Sequence, residues 1–248
     1  NGSGSNIFIG GGDSNTASSN FSFVGGGQSN TAQTSTHAVL CGGNTNISSG
    51  QYAFVGGGNS NTASATASAV SGGGSNVANG SYSFIGGGAS GNARSIIGYH
   101  VFPACLQPIA STSGCTQAGL LLLARQTTNN TSTVLTCDNQ PGSTGNQVIL
   151  PNNSAYSFSG EVIAGVTGAG NTARWTINGA IKRGATAAST ALVGTPTVTM
   201  THNDTGAAGW TVTITADTTN GGITVTVNGQ AATTIRWVCK INTTEMTY

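Results

Sequence analysis

Apolar residues recur through the first third of the chain at a steady step. Ile9, Val24, Leu40, Val55, Val70 and Ile85 fall about fifteen residues apart, each just before glycine or a short spacer leading to it. The phrases around them read IFIGGGDSNTAS, SFVGGGQSNTAQ, AVLCGGNTNISS, AFVGGGNSNTAS, SAVSGGGSNVAN and SFIGGGASGNAR. A fixed period of this kind predicts stacked structural units. Each unit reads as a short apolar strand, a glycine turn and a Ser-Asn-Thr-Ala step. Phe8, Phe23, Phe54 and Phe84 share one phase, Ala17, Ala32, Ala63 and Ala78 a second, and Asn15, Asn30, Asn46, Asn61 and Asn76 a third. Glycine suits the tight turns because it reaches positive φ freely. The asparagines are expected to form a ladder, each bonding the turn backbone of its neighbour without charge. One apolar pair per coil is a thin core for a lone solenoid. Several chains wound about a common axis would pool those pairs, so a homotrimer is expected.

Residues 94–117 break the period with Pro103 and Pro108 and read as a connector that caps the stack. From residue 118 the pattern changes to strict alternation. Ala173, Trp175, Ile177 and Ile181 oppose Arg174, Thr176, Asn178 and Lys182; Trp210, Val212, Ile214 and Ala216 oppose Thr211, Thr213 and Thr215. Ile223, Val225 and Val227, then Ile235, Trp237, Cys239 and Ile241, continue it, and DTTNGG is a hairpin signal. Period two predicts antiparallel strands with one face buried. The predicted fold is therefore all-β: a trimeric β-roll or β-solenoid of about six 15-residue repeats over residues 1–93, a connector over 94–117, and an antiparallel, jelly-roll-like β-sandwich over 118–248.

Composition narrows the partners. Charged residues are 5% of 248, with a net charge of +1, so no basic patch invites nucleic acid. The longest apolar run, GLLLLA at 119–124, is far short of the roughly 18 residues that span a bilayer, so no membrane insertion is expected. No secretory signal opens the chain, which begins mid-phrase and reads as a fragment of something longer. Five cysteines lack any CxxC pair, which argues against a thiolate zinc site. Cys105 and Cys115 could close a disulfide loop; free, buried thiols are the default.

Candidate chemistry is sparse. Asp204 and Asp217 flank the strand that begins at Trp210 and could form the carboxylate pair of a glycan hydrolase, but both read as turn residues. His202 beside Asp204, in THNDTG, reads as turn chemistry too. Ser189 lacks a nucleophile elbow. Only Asp13 offers the repeats a calcium ligand, and Ile47 and Val77 interrupt the threonine rank an ice-binding face needs. No catalytic residue, metal or cofactor is assigned, and the chain is read as not an enzyme. Glycan binding fits the residue types better, through aromatic rings and amide or hydroxyl groups in a cleft. The candidate binding residues are Tyr156, Arg183, His202, Asn203 and Asp204, while Trp175, Trp210 and Trp237 share parity with the core.

The six glycine phrases resemble the head repeats of trimeric autotransporter adhesins and the related repeats of viral and phage tail fibres. AVLCGG and SAVSGGG depart by lacking the phenylalanine. NQVILPNNSAYSFSGEVIAG, ARWTINGAIKRGATAASTALVG and IRWVCKINTTEMTY resemble the terminal domain of many bacteriophage tail fibres, over residues 118–248. The resemblance implies a homotrimeric tail-fibre protein of the virion, binding a host surface polysaccharide or protein receptor and joining other tail proteins through a missing N-terminal part. The alternatives are a glycan depolymerase tailspike, a bacterial adhesin head and a tail spacer without receptor contact.

Overall fold

The computed structural model describes residues 4–103, 109–110 and 112–248. Two compact units divide the chain, Asn1–Gly119 and Leu120–Tyr248. Among the described residues, regular structure is β except for single 3-10 turns at Ala187–Ser189 and Thr205–Ala207.

The first unit is a β-solenoid of about six turns. Strands β1 (Phe8–Ile9), β3 (Phe23–Val24), β5 (Val39–Leu40), β7 (Phe54–Val55), β9 (Ala69–Val70) and β11 (Phe84–Ile85) stack in parallel. β12 (His100–Pro103) extends the ladder, with His100 opposite Phe84 and Val101 opposite Ile85. A second parallel ladder runs through β2 (Thr16–Ala17), β4 (Thr31–Ala32), β6 (Ile47–Ser48), β8 (Thr62–Ala63) and β10 (Val77–Ala78). Single bridges Asp13–Gln28–Asn44–Asn59–Gly74–Ala89 make a third.

The buried asparagines hold this stack in register. Asn61 donates from Nδ2 to the carbonyls of Gly57, 2.9 Å, and Gly73 in the next coil, 2.9 Å. Its Oδ1 accepts the backbone N–H of Asn76, 3.0 Å, and its own N–H donates to Oδ1 of Asn46, 2.8 Å. Asn30 and Asn46 repeat the pattern. Each amide so placed fills both donor sites and accepts at its oxygen, which is what burial of a polar group requires. Glycine is obligatory where the ladder meets the turn: Gly58 has φ +88°, and a Cβ there would run into the Gly73 carbonyl.

The expected pooling of an apolar pair is corrected. A two-residue strand sends its side chains to opposite faces, so only the second residue enters the coil. Val24, Leu40, Val55, Val70 and Ile85 are fully buried, whereas Phe8, Phe23 and Phe54 are exposed. Each interior is filled instead by that aliphatic, an alanine or serine from the next ladder (Ala32, Ser48, Ala63, Ala78), a small residue before the strand (Ala38, Ala53, Ser68, Ser83) and the asparagine. A single chain therefore closes its own narrow core.

In the second unit, β16 (Ser154–Val166) lies between β22 (Ile235–Thr247) and β17 (Thr172–Arg183), all antiparallel. β13 (Thr116–Thr127), which crosses the division between units, neighbours β22; β17 continues to β18 (Ala191–Leu192) and β19 (Thr197–Asn203). A smaller antiparallel sheet centres on β21 (Gly222–Asn228), with β20 (Thr211–Asp217) on one side and β14 (Thr133–Val134) and β15 (Val148–Ile149) on the other. These unequal sheets replace the matched pair of a jelly roll. The alternation lands as read. Trp237 sits 5.6 Å from Trp175 and 5.7 Å from Trp210, ring centre to ring centre, and donates its indole N–H to Thr127 Oγ1, 2.9 Å. Asp217 closes the predicted hairpin, accepting the backbone N–H groups of Thr219 and Asn220.

Cys41, Cys115, Cys137 and Cys239 are free thiols, and Cys105 lies outside the described residues. Cys41 corrects the expectation of burial: it follows inward Leu40 and is exposed. Burial pushes the Cys239 thiol up to about 12. Burial, with the charge of Asp138 adding to it, pushes Cys137 to about 11.

Replacing Asn61 by Ala strands the Gly57 carbonyl and the Asn76 N–H inside the stack and leaves the Gly73 carbonyl only the Asn59 N–H. Unfolding free energy should fall by about 3 kcal/mol. Asn59→Ala, which removes an exposed bond to Asn44 Oδ1, should cost under about 1 kcal/mol. Denaturant titration of the two variants checks the contrast.

Candidate functional site

Three of the five candidate residues come together at the end of β19. The β17–β19 pairing runs Arg174 opposite His202 but Trp175 opposite Met200, so Thr201 is an extra residue in a bulge. A bulge bends its strand and re-aims the side chains beside it. Here it brings Thr201, His202, Asn203 and Asp204 to the rim of an open groove of about 630 Å³, whose other walls include Ile163, Thr172 and Arg174.

The polar groups of the groove are held in place. Arg174 pairs with Glu161, 3.0 Å, and donates to Thr201 Oγ1, 3.2 Å. Glu161 lies diagonally across β16 from Arg174, whose direct partner there is Ile163. An ion pair this exposed contributes about 0–1 kcal/mol to stability, so its effect is chiefly to fix the guanidinium. Asp204 accepts the Thr172 N–H at Oδ2, 2.8 Å, while its own N–H donates back to the Thr172 carbonyl, 2.9 Å. Asn203 donates to the Asp204 carbonyl, 3.0 Å. His202 is exposed on the strand face beside Arg174. Ile163 gives the groove one exposed apolar surface among donors and acceptors of both signs. Such an arrangement can hold a flat-faced ligand bearing hydroxyl or carboxylate groups.

The other two candidates lie elsewhere. Tyr156 is 2% exposed, on the same inward parity as Phe158, and presents nothing to a ligand. Arg183 donates from Nη1 to the Leu150 carbonyl, 2.6 Å, and packs against Gly221 at the hairpin end, where a Cβ would strike its guanidinium. It ties the loop after β15 to the β20–β21 hairpin. Asp217 serves that hairpin and does not line the groove, so it forms no carboxylate pair there with Asp204. Sequence reading assigned Arg174 to an exposed face without placing it in a site. Thr201 was missed, and a bulge carries no reliable local signal. Among the described residues, no three His, Cys, Asp or Glu side chains gather as metal ligands.

No protein family profile and no curated protein matches the chain. Solved structures similar to it include tailspikes. One is the tailspike gp49 of Acinetobacter baumannii bacteriophage Fri1, a capsular polysaccharide depolymerase: 9% identity, 93% of this chain and 42% of that chain, TM-score 0.32. A second is the Acinetobacter phage vB_ApiP_P1 tailspike: 10% identity, 98% and 55%, TM-score 0.28. A third is the Acinetobacter baumannii phage AM24 tailspike: 8% identity, 94% and 50%, TM-score 0.25. The chain thus spans about half the length of these proteins. The first of these structures is an enzyme, and with it among the similar structures the reading of this chain as non-enzymatic is withdrawn.

Arg183 and Arg174 should part in a stability experiment. Arg183→Ala frees the Leu150 carbonyl and should lower the unfolding free energy by about 2 kcal/mol, while Arg174→Ala should cost under about 1 kcal/mol. Thermal melts of the two single variants decide it.

Proposed function

We propose that this chain is part of a phage tail attachment protein, carried on the virion, that engages a bacterial surface polysaccharide through the groove at the end of β19. The observation that carries the reading is the Thr201 bulge, which gathers Arg174, His202, Asn203 and Asp204 beside exposed Ile163. Pyranose rings offer an apolar face and a rim of hydroxyls, and the groove supplies an apolar surface with fixed donors and acceptors. The resemblance of both halves to tail-fibre sequences supports placing the chain in a tail. Association of several copies would multiply a modest affinity at each groove by effective concentration. The near absence of net charge suits binding with little salt dependence, since shape and hydrogen bonds then carry specificity.

Titration of the chain against a panel of purified bacterial capsular polysaccharides tests the reading. Binding to at least one member is expected, and Arg174→Ala or Asn203→Ala should each weaken it about 10-fold while leaving the fold intact. Binding unaffected by both variants, or no binding across the panel, contradicts it. Assaying the same mixtures for new reducing ends distinguishes cleavage from binding alone.

A further inference from the structure

The solenoid's outward side chains differ sharply from ladder to ladder. On the bridge ladder, Gln28 Nε2 donates to Asp13 Oδ2, 3.3 Å, Asn44 Nδ2 to Gln28 Oε1, 3.0 Å, and Asn59 Nδ2 to Asn44 Oδ1, 3.1 Å. That face is polar and its side chains satisfy one another. The second ladder points Thr16, Thr31 and Thr62 outward. The first ladder instead points Phe8, Phe23 and Phe54 outward, exposed by 53%, 37% and 38%. Phe8 and Phe23 stack at 5.2 Å with their planes 7° apart.

A second row lies two residues earlier in the coil, aromatic at Phe21, Tyr52 and Tyr82. Phe21, Tyr52 and Tyr82 are exposed by 49%, 56% and 64%, and His37 stacks between Phe21 and Tyr52. These three aromatics adopt the left-handed conformation, with φ of 57–59°. A non-glycine residue there costs roughly 1–2 kcal/mol, and glycine would relieve it. The corner imposes this conformation whatever the residue, with φ of 63° at His37 and 52° at Ala67, so the backbone does not select an aromatic there.

We infer that this aromatic strip is the surface through which the solenoid associates with a second copy of this chain, a deepening of the multi-copy reading above. Exposed apolar patches of this extent mark interfaces. The choice of a second copy follows from charge and period. Between residues 4 and 103 only Asp13 and Arg94 carry a formal charge. Neither belongs to the two aromatic rows, so the strip meets its own copy without repulsion. An identical chain also repeats its rows at the same step of about 4.8 Å, so its rings can fit beside the smaller Val39 and Ala69 rungs that interrupt the row. Six rungs make it about 30 Å long and two side chains wide, on the order of the 800 Å² per partner that stable interfaces bury.

Analytical ultracentrifugation of the whole chain, beside the double variant Phe23→Thr with Phe54→Thr and the control Ile47→Thr, tests the inference. Ile47 is equally exposed, at 37%, but belongs to the second ladder. The wild type and the control should associate alike, and the double variant should dissociate about 100-fold more readily. A double variant with wild-type circular dichroism that associates as tightly overturns the strip while leaving self-association standing. A monomeric wild type at micromolar concentration overturns both. Should the double variant misfold, benzoylphenylalanine in place of Phe54 or of Ile47 gives the answer by photocrosslinking. Crosslinks between copies at 54 and not at 47 support the strip; the reverse overturns it.

Discussion

A buried side-chain amide, repeated once per coil, is the constraint on which the solenoid depends. Asn30, Asn46 and Asn61 each bridge the glycine turn of their own coil to that of the next, and each oxygen takes the following coil's backbone N–H. The turns can then be nearly all glycine without leaving polar backbone unsatisfied in the interior. Two consequences follow. The coil must be narrow enough for the amide to reach both turns, which limits the remaining core to alanine, serine and one aliphatic. Register is carried by hydrogen bonds, so the unit needs almost no charge.

That narrowness explains what the sequence disclosed and what it hid. The phase of Asn, Ala and Val was legible because each occupies one place in a strict period. The destination of the phenylalanines was not, because adjacent Phe23 and Val24 look like a pair until the two-residue strand sends them to opposite faces. In the second unit, alternation placed Trp175, Trp210 and Trp237 in the interior as read. The same rule, applied to YSF, assigns Tyr156 to the inward face beside Phe158. The partner of Arg183 is a carbonyl 33 residues away, and nothing local announces it. His202, Asn203 and Asp204 were found as turn-like polar residues, but the groove they share with Arg174 is made by a bulge, a one-residue shift in pairing that no periodicity records.

The groove follows the same economy as the solenoid. Its groups are paired before any ligand arrives: Arg174 to Glu161 and Thr201, Asp204 to Thr172, Asn203 to the adjacent carbonyl. Preorganisation of this kind lowers the ordering cost of binding without adding charge. Under the proposed function, a modest site repeated over several copies would suffice for attachment.

The three histidines of the chain give a direct reading of where a ligand binds. His37 and His100 sit on the solenoid, and His202 sits in the groove. Their imidazole carbon-bound protons can be followed by NMR as a capsular polysaccharide that binds the chain is added. The account predicts that the His202 resonance moves while those of His37 and His100 stay in place. Movement of His37 or His100 with His202 unchanged would contradict it and transfer the binding site to the solenoid.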